Sequence, residues 1–455
     1  MKESQTTPDD ALLHQAEEAV LYAYPVYEMC RMRALTSPQR LPGGEALAPP
    51  QRWCNRFMHA RRLMRPGQSR VPTPNHDTLY STAWLDLADG AWVLDMPDMA
   101  GRYHVMGLLD MFTNPFAHLG QRLTGNQARS FLITGPGWRG EVPAAFRGRH
   151  EHVISPTRWV WLLGRMLVEE DERDLPAAHA LQNAIRLSSL PDWEAGRPSE
   201  ATAFDPECDP NAALDATLFA TQVNRALRDD PPPEDDAWLK AALASAGLGP
   251  GWPVPEGEQL ALLQKGLDQA VTRLRTLENG RRTMTGWLQM PLIGNTFAQD
   301  YEFRALVALK YIGMLESREA TYSLALNDSQ GRPLTGSHRY RMRFKPGTLP
   351  RVYAFWSLTL YSNADGMLVP NVLHRHAIGD RTPGLQYDAD GGLTLTLSHQ
   401  PPQDQFDMPS ARANWLPAPA DGFYLCLRFY LPSDAVLESR TPLPPLQREE
   451  GIVAG

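Results

Sequence analysis

PNHDTLYSTAWLDLADGAWVLDMPDMAGRYHVMGLLDMFTNPFAHLG, residues 74–120, is the stretch on which the fold reading turns. Apolar and polar residues alternate through TLYSTAWLDL and RYHVMGLLDM. The short apolar run AWVLDMP stands between them and stops at Pro97. A period of two with proline, aspartate and glycine breaks predicts successive β-strands. The polar side chains here are unusual for strands. Asn75, His76, Asp77, Thr78 and Tyr80 open the stretch, Arg102, Tyr103 and His104 follow the turn, and Asp110, Asn114 and His118 close it. Pairing of these strands brings such groups onto one wall, which makes this the leading site candidate. It dictates no particular reaction.

Working outward, ARSFLITGPGW and HEHVISPTRWVWLLGRMLV continue the strand pattern, with GPGWRGEVP as a turn. Upstream, residues 8–34 read as a helix capped by Asp9 or Asp10, with Pro25 marking a kink or a second short helix. At Asp174 the period changes. DLPAAHALQNAIRLSSL, DATLFATQVNRAL, DDAWLKAALASAGL, EQLALLQKGLDQAVTRLRTLENG and QDYEFRALVALKYIGML repeat apolar residues every three or four positions. From Glu319 strands return in HRYRMRF, PRVYAFWSLTLYSNADGML, GGLTLTLSHQ and GFYLCLRFYLP, with Asp328–Gly331 as a hairpin turn. The fold class predicted is α+β and β-rich, with short strands at the spacing of a sandwich or jelly roll. The expected domains are an N-terminal helical segment (1–50), a β-domain (51–172), a mainly helical middle region (173–318) and a C-terminal β-domain (319–455).

A chain of 455 residues exceeds one ordinary core, so two or three lobes are expected. Hydrophobic residues make up 43% and charged residues 21%, a globular balance. A net charge of −8, with no basic cluster interleaved with aromatics, argues against a nucleic-acid partner. The cysteines Cys30, Cys54, Cys208 and Cys426 are scattered, which disfavours a disulfide framework or a thiolate zinc site and favours reduced, buried thiols. The polar, acidic start is no secretory signal and no run is long enough to span a bilayer. The expectation is therefore a cytoplasmic protein with a small-molecule ligand and no membrane partner. Apolar strand edges make homo-oligomers an option, without fixing a stoichiometry.

Three sets of residues carry candidate chemistry. The first is acid/base: Asp77, Tyr80, His104 and Asp110 as catalytic groups, with Asn75, Arg102 and Asn114 binding substrate. Positions 102 and 104 share a strand face, with Tyr103 opposite, and a carboxylate beside an imidazole can tune it into a general base. The structural alternative is a satisfied polar core in which Arg102 pairs Asp77. The second set is metal-binding: His150/His152 and His374/His376 are HxH pairs, which on a strand place two imidazoles on one face. Arg147 and Arg149 beside His150 disfavour a cation there, no residue is assigned as a metal ligand, and no cofactor is specified. The third set is Trp356, Ser357, Thr359, Tyr361, Asn371, Arg375, Arg381 and Trp415, in which aromatic faces and guanidiniums suit flat or carboxylate-bearing ligands. Of these, Trp356, Arg375 and Arg381 are taken as substrate-binding candidates, although Trp356 alternates in FWSLTLY as a core residue does. Ser81, Ser357 and Cys54 have no strained elbow or assignable base and are not taken as nucleophiles.

PNHDTLYSTAWLDL, RYHVMGLLDMFTNPFAHLG and TGPGWRG together resemble the signature of domain of unknown function 1254. GRPLTGSHRYRMRF, FWSLTLYSNADGMLVPN, GDRTPGLQYDADGGLTL and NWLPAPADGFYLCLRFYLP resemble its usual companion, domain of unknown function 1214. The resemblance implies two jelly-roll-like antiparallel β-sandwich domains joined by helices, and attaches no general activity. Two departures stand out: the exported N-terminus of many relatives is missing, and Ser439–Pro442 replaces their usual Trp-Pro ending. The functional expectation is an enzyme acting on a small organic molecule by acid/base chemistry, in a pocket walled by the N-terminal β-domain. The alternatives are a non-catalytic carbohydrate or small-ligand binder and a metal-dependent enzyme using the HxH histidines.

Overall fold

The computed structural model describes residues 8–69, 72–148, 150–169, 173–233, 236–278, 280–402, 412–440 and 442–449. Arg149 and Thr441 lie outside them. The first half of the chain runs α1 (Pro8–Thr36), β1 (Arg52–Cys54), β2 (Met58–His59), β3 (Thr78–Asp86), β4 (Trp92–Met96), β5 (His104–Leu109), β6 (Ala117–Gly120), β7 (Arg129–Thr134), β8 (His152–Ile154) and β9 (Trp159–Leu167). It continues through α2 (Leu175–Ala184), β10 (Arg186–Ser189), α3 (Leu190–Glu194), β11 (Thr202–Phe204), α4 (Ala216–Asp229), α5 (Ala237–Ser245), α6 (Gly257–Thr276), β12 (Arg281–Arg282), β13 (Leu288–Gln289) and α7 (Tyr301–Lys310). The last part is β14 (Ala320–Ala325), β15 (Tyr340–Phe344), β16 (Val352–Ser362), β17 (Ala377–Gly379), β18 (Leu393–Ser398), β19 (Trp415–Pro417), β20 (Phe423–Pro432), α8 (Asp434–Leu437) and β21 (Leu446–Arg448). The protein is mixed α+β, rich in strands, with its sheets largely antiparallel.

Helix α1 is a single helix with Pro25 inside it, so the second short helix considered from sequence does not form. Every residue from Val20 to Cys30 is buried, because α4, α5, α6 and α7 surround it together with one face of a sheet. Burial on all sides explains why an interior proline is tolerated: tertiary packing, rather than local propensity, holds this helix. At its crossing with α6, a Cβ on Gly266 would stand 2.9 Å from the Ala16 backbone, so glycine sets how closely the two helices approach. Asp215, Asp236 and Asp300 cap α4, α5 and α7 by accepting backbone N–H groups.

The N-terminal lobe has one sheet in the order β2-β3-β9-β5-β6 and a second in the order β10-β4-β7-β8. Leu79, Leu85, Met106 and Leu162 of the first meet Leu94, Phe131 and Ile133 of the second in one apolar core. The C-terminal lobe repeats the arrangement with β12-β13-β14-β20-β16-β17 facing β19-β18-β15-β21. Two edge pairs, β7 with β8 and β18 with β19, run parallel and so depart from the wholly antiparallel expectation. Strands β10 and β12–β13 come from the stretch expected to be mainly helical and complete the sheets of the flanking lobes.

Pleating decides what reaches the space between lobes. On β3, β5 and β9 the residues facing the core alternate with those facing outward. The outward row Trp84, Trp161 and Leu109 packs on the helical cluster. The outward residues Val105 and Leu167 at the other end of the same face, with Tyr103 just before β5, pack with Phe355, Ala320 and Tyr430 of the C-terminal lobe. A seam between two sheets results, and the residues of the opening stretch lead into it.

Candidate functional site

The segment Thr73–Thr78 crosses the seam immediately before β3. The Asn75 side-chain oxygen accepts the backbone amides of Asp77 and Thr78 at 2.7 and 3.0 Å, forming the local turn that its sequence suggests. Its amide nitrogen donates to the Tyr430 hydroxyl on β20. Asp77, buried, accepts the Ser357 hydroxyl of β16 at 2.6 Å. Tyr361 donates to the Pro74 carbonyl at 2.6 Å. Opposite β3, the cross-strand register places Tyr322, Arg428 and Ser357 in one row of the C-terminal sheet. Facing them, Tyr80 and Arg165 form a row of the N-terminal sheet.

Two guanidiniums dominate this space. Arg428 donates to Thr359 and Tyr361 hydroxyls at 2.9 and 2.7 Å and to the Thr73 carbonyl at 3.1 Å. Arg165 donates to the Tyr322 hydroxyl at 3.1 Å and the Gly313 carbonyl at 2.7 Å, and lies 5.5 Å from the centre of the Tyr80 ring. Both are buried, and among the described residues the Nε of each has no hydrogen-bond partner. Their hydrogen bonds all go to neutral groups; Asp77 supplies negative charge beside Arg428, and Glu319, itself paired with Arg122, supplies it near Arg165, neither acid touching these guanidiniums as an ion pair. Burial, then the charge of Asp77, raises the Tyr430 hydroxyl well above its ordinary pKa. Tyr103, raised by burial first, keeps a buried hydroxyl that has no partner among the described residues. Both phenols therefore stay protonated.

The remaining predicted residues go elsewhere. Arg102 pairs with Asp174 and the Leu167 carbonyl, not with Asp77 as the polar-core alternative had it. His104 shares its face with Met106 and Leu108, toward the core between the N-terminal sheets, and burial lowers its pKa. Arg102 and Tyr103 lie just before β5 rather than in it, and it is Tyr103 that meets the other lobe. Asp110 closes its own loop by accepting the Phe112 and Asn114 amides and the Asn114 side chain, and burial raises it to about 6. Trp356 fills the C-terminal core against Phe344. The Arg375 guanidinium ties down the carbonyls of Arg412, Ala413 and Trp415 at 2.6, 3.0 and 2.8 Å. Arg381 reaches the seam's edge, stacked 4.0 Å over Phe355. Arg165, Arg428, Tyr322 and Tyr430 were not singled out from sequence. The available signal was a lone arginine inside each of two otherwise apolar strands, WVWLLGRML and FYLCLRFYL, since arginine is seldom fully buried without a purpose.

Neither HxH pair lies within a strand: His150 precedes β8, and His374 and His376 precede β17. His374 sits in a turn at φ +52° while His376 is buried and edge-on to His76 at 4.9 Å. His152 bonds Thr134. Among the described residues no group of three or more His, Cys, Asp or Glu side chains is placed to hold one metal ion. The four cysteines are free and buried. No helix of the described residues is long and apolar enough to cross a membrane. A cavity of about 440 Å³ opens in the C-terminal lobe, where Tyr322 joins Gln289, Thr321, Phe429 and Ser439 in its wall. Ser439, from the segment that departs from the resembled pattern, bonds Gln289 there at 2.7 Å.

Family models match two stretches of the chain: "Protein of unknown function (DUF1254)" over residues 54–189 and "Protein of unknown function (DUF1214)" over residues 319–434. Among solved structures, the VPA0106 protein from Vibrio parahaemolyticus is similar over 96% of this chain and 100% of its own, with a TM-score of 0.70 and 27% identity. An uncharacterized protein from Burkholderia cenocepacia aligns over 97% of this chain and 95% of its own, with a TM-score of 0.42 and 12% identity. No curated protein matches.

Proposed function

We propose that this chain, which belongs to the family carrying DUF1254 and DUF1214 in tandem, is an enzyme that acts on a small organic acid at the seam between its two β-lobes. The observation that carries the reading is the pair of buried guanidiniums, Arg165 and Arg428, each with an unpartnered Nε and with only neutral hydrogen-bond acceptors. A buried guanidinium costs several kcal/mol unless a negative group offsets it, and its planar fork suits a carboxylate. In this reading the two arginines hold the substrate carboxylate. Asp77 takes the proton that the bound acid gives up, oriented by Ser357. Tyr430, kept protonated by burial, donates to the oxygen that gains charge. Tyr80, half-buried at the Arg165 side, lines the approach. Each lobe is further read as a jelly-roll-like sandwich, supported by the two sheets around each apolar core.

The test is a thermal-shift screen of small mono- and dicarboxylic acids on the full chain, followed by NMR of each stabilising acid incubated with the protein. An acid at about 100 times its Kd adds about 2.7 kcal/mol. The expected result is at least one acid that raises the midpoint of the wild type but not of Arg165→Met, and that is turned over by the wild type but not by Asp77→Asn. Loss of the reading follows if no acid stabilises the protein, or if stabilisation survives both Arg165→Met and Arg428→Met. Binding without turnover would leave the seam as a ligand site alone.

A further inference from the structure

A second charged chamber lies at the opposite end of β3 and β9 from the seam. The cavity is about 210 Å³; Arg33 of α1, Arg158 just before β9, and Arg225 and Arg228 of α4 stand in its wall with the Trp159 and Phe204 rings, alongside the carboxylates Asp86, Asp205 and Asp229. Its cations are not equivalent. Arg158 grips Asp86 with two bonds of 2.6 and 2.7 Å. Arg225 is paired with Glu207, and Arg228 on the rim reaches Asp229 at 3.2 Å. Arg33 is 8% exposed, and among the described residues it forms no ion pair and its Nε and Nη1 find no hydrogen-bond acceptor. Instead its guanidinium carbon stands 4.1 Å from the centre of the Trp159 ring and 5.7 Å from that of Phe204.

Stacking on an indole orients a guanidinium and offsets part of its desolvation. It leaves the in-plane N–H donors free, and those are the groups that recognise planar oxyanions. The neighbouring buried acid, Asp230, is occupied by the Arg158 and Trp159 backbone amides. Burial pushes its carboxyl up to about 7, so it offsets the Arg33 charge only in part. The chamber thus presents one unmatched, ring-held guanidinium flanked by the Arg225 and Arg228 side chains of α4.

We infer that this chamber is a binding site for a small oxyanion, a carboxylate or phosphate group, held on Arg33 with Arg225 and Arg228 drawing it in. The site is separate from the seam and needs no residue of it.

Titrating the full chain with inorganic phosphate, acetate and benzoate, followed by calorimetry and by tryptophan fluorescence, distinguishes the sources of the anion. At least one should bind saturably with a Kd on the order of 1 mM or tighter. Arg33→Met, close in volume, should weaken that anion about tenfold or more, and Arg225→Gln, which leaves the core untouched, about threefold. Arg165→Met should leave it unchanged. The inference is overturned if none of the three anions binds saturably, if Arg33→Met binds like the wild type, or if Arg165→Met abolishes binding. Should Arg33→Met not fold, an Arg225→Gln affinity equal to that of the wild type overturns it as well.

Discussion

Asp77→Asn probes how the seam balances its charge. The substitution is isosteric and leaves the Asn75 grip on the Asp77 and Thr78 amides in place. It converts the 2.6 Å bond from Ser357 from a charge-assisted to a neutral one, a loss of about 1 kcal/mol. It also removes the negative charge nearest Arg428, whose three hydrogen-bond partners are neutral. The two side chains are not in ion-pair contact, so the full cost of breaking a buried pair does not apply. At an effective dielectric of about 20, two opposite charges just beyond ion-pair contact attract by about 3 kcal/mol. The sum is about 4 kcal/mol. Guanidinium unfolding followed by fluorescence reads it, with Asp421→Asn on the exposed surface as a control that should move stability by less than about 0.5 kcal/mol. A cycle with Arg428→Met should give a coupling of about 2–3 kcal/mol. A loss below about 1 kcal/mol, or a coupling near zero, would refute the electrostatic argument and with it the idea that Asp77 answers the buried arginines.

Three more outcomes follow from the geometry. Asp230 holds its proton up to about pH 7 in the folded protein, whereas the unfolded carboxyl releases it near 4, so its contribution to stability falls as pH rises through that window and is flat above it. Asp230→Asn should gain on the wild type by a few kcal/mol between pH 4.5 and 7.5 in parallel unfolding curves, and a constant gap would contradict the assignment. Arg375→Met leaves three loop carbonyls without their donor and should cost about 2–4 kcal/mol in urea unfolding; a neutral result would return Arg375 to the list of binding residues. Leu162→Ala, at 0% exposure between the N-terminal sheets, should cost about 2–5 kcal/mol by the same measurement, and less than about 1 kcal/mol would mean those sheets do not share a close-packed core.

Much of the chain was legible because its signals are local. Alternation in TLYSTAWLD and YRMRF predicts β3 and β15, and both form. The three- and four-residue periods of DATLFATQVNRAL and DDAWLKAALASAGL form α4 and α5. Asn75 and Asp110 make the tight turns that their types favour. The tandem-family resemblance stands for the same reason: it rests on contiguous motifs. The site was less legible. Arg102 was read with Asp77 because both lie in one stretch, but its partner is Asp174 across the lobe. Arg375 looked like a ligand-binding residue, but its charge secures loop carbonyls.

The stretch 74–120 shows where the division falls. Its sequence alone determined that strands form and that a polar turn leads into β3, because pleat and turn chemistry act over a few residues. Tertiary structure decided which face of those strands would matter. Asp77 meets Ser357 280 positions away and Asn75 meets Tyr430 355 positions away. Such contacts depend on how two whole sheets are set against each other by the apolar residues between them, Tyr103, Val105, Leu167, Phe355 and Tyr430. No local period encodes that placement. It brought Arg165 and Arg428, each a lone charge in an apolar strand, to the centre of the seam.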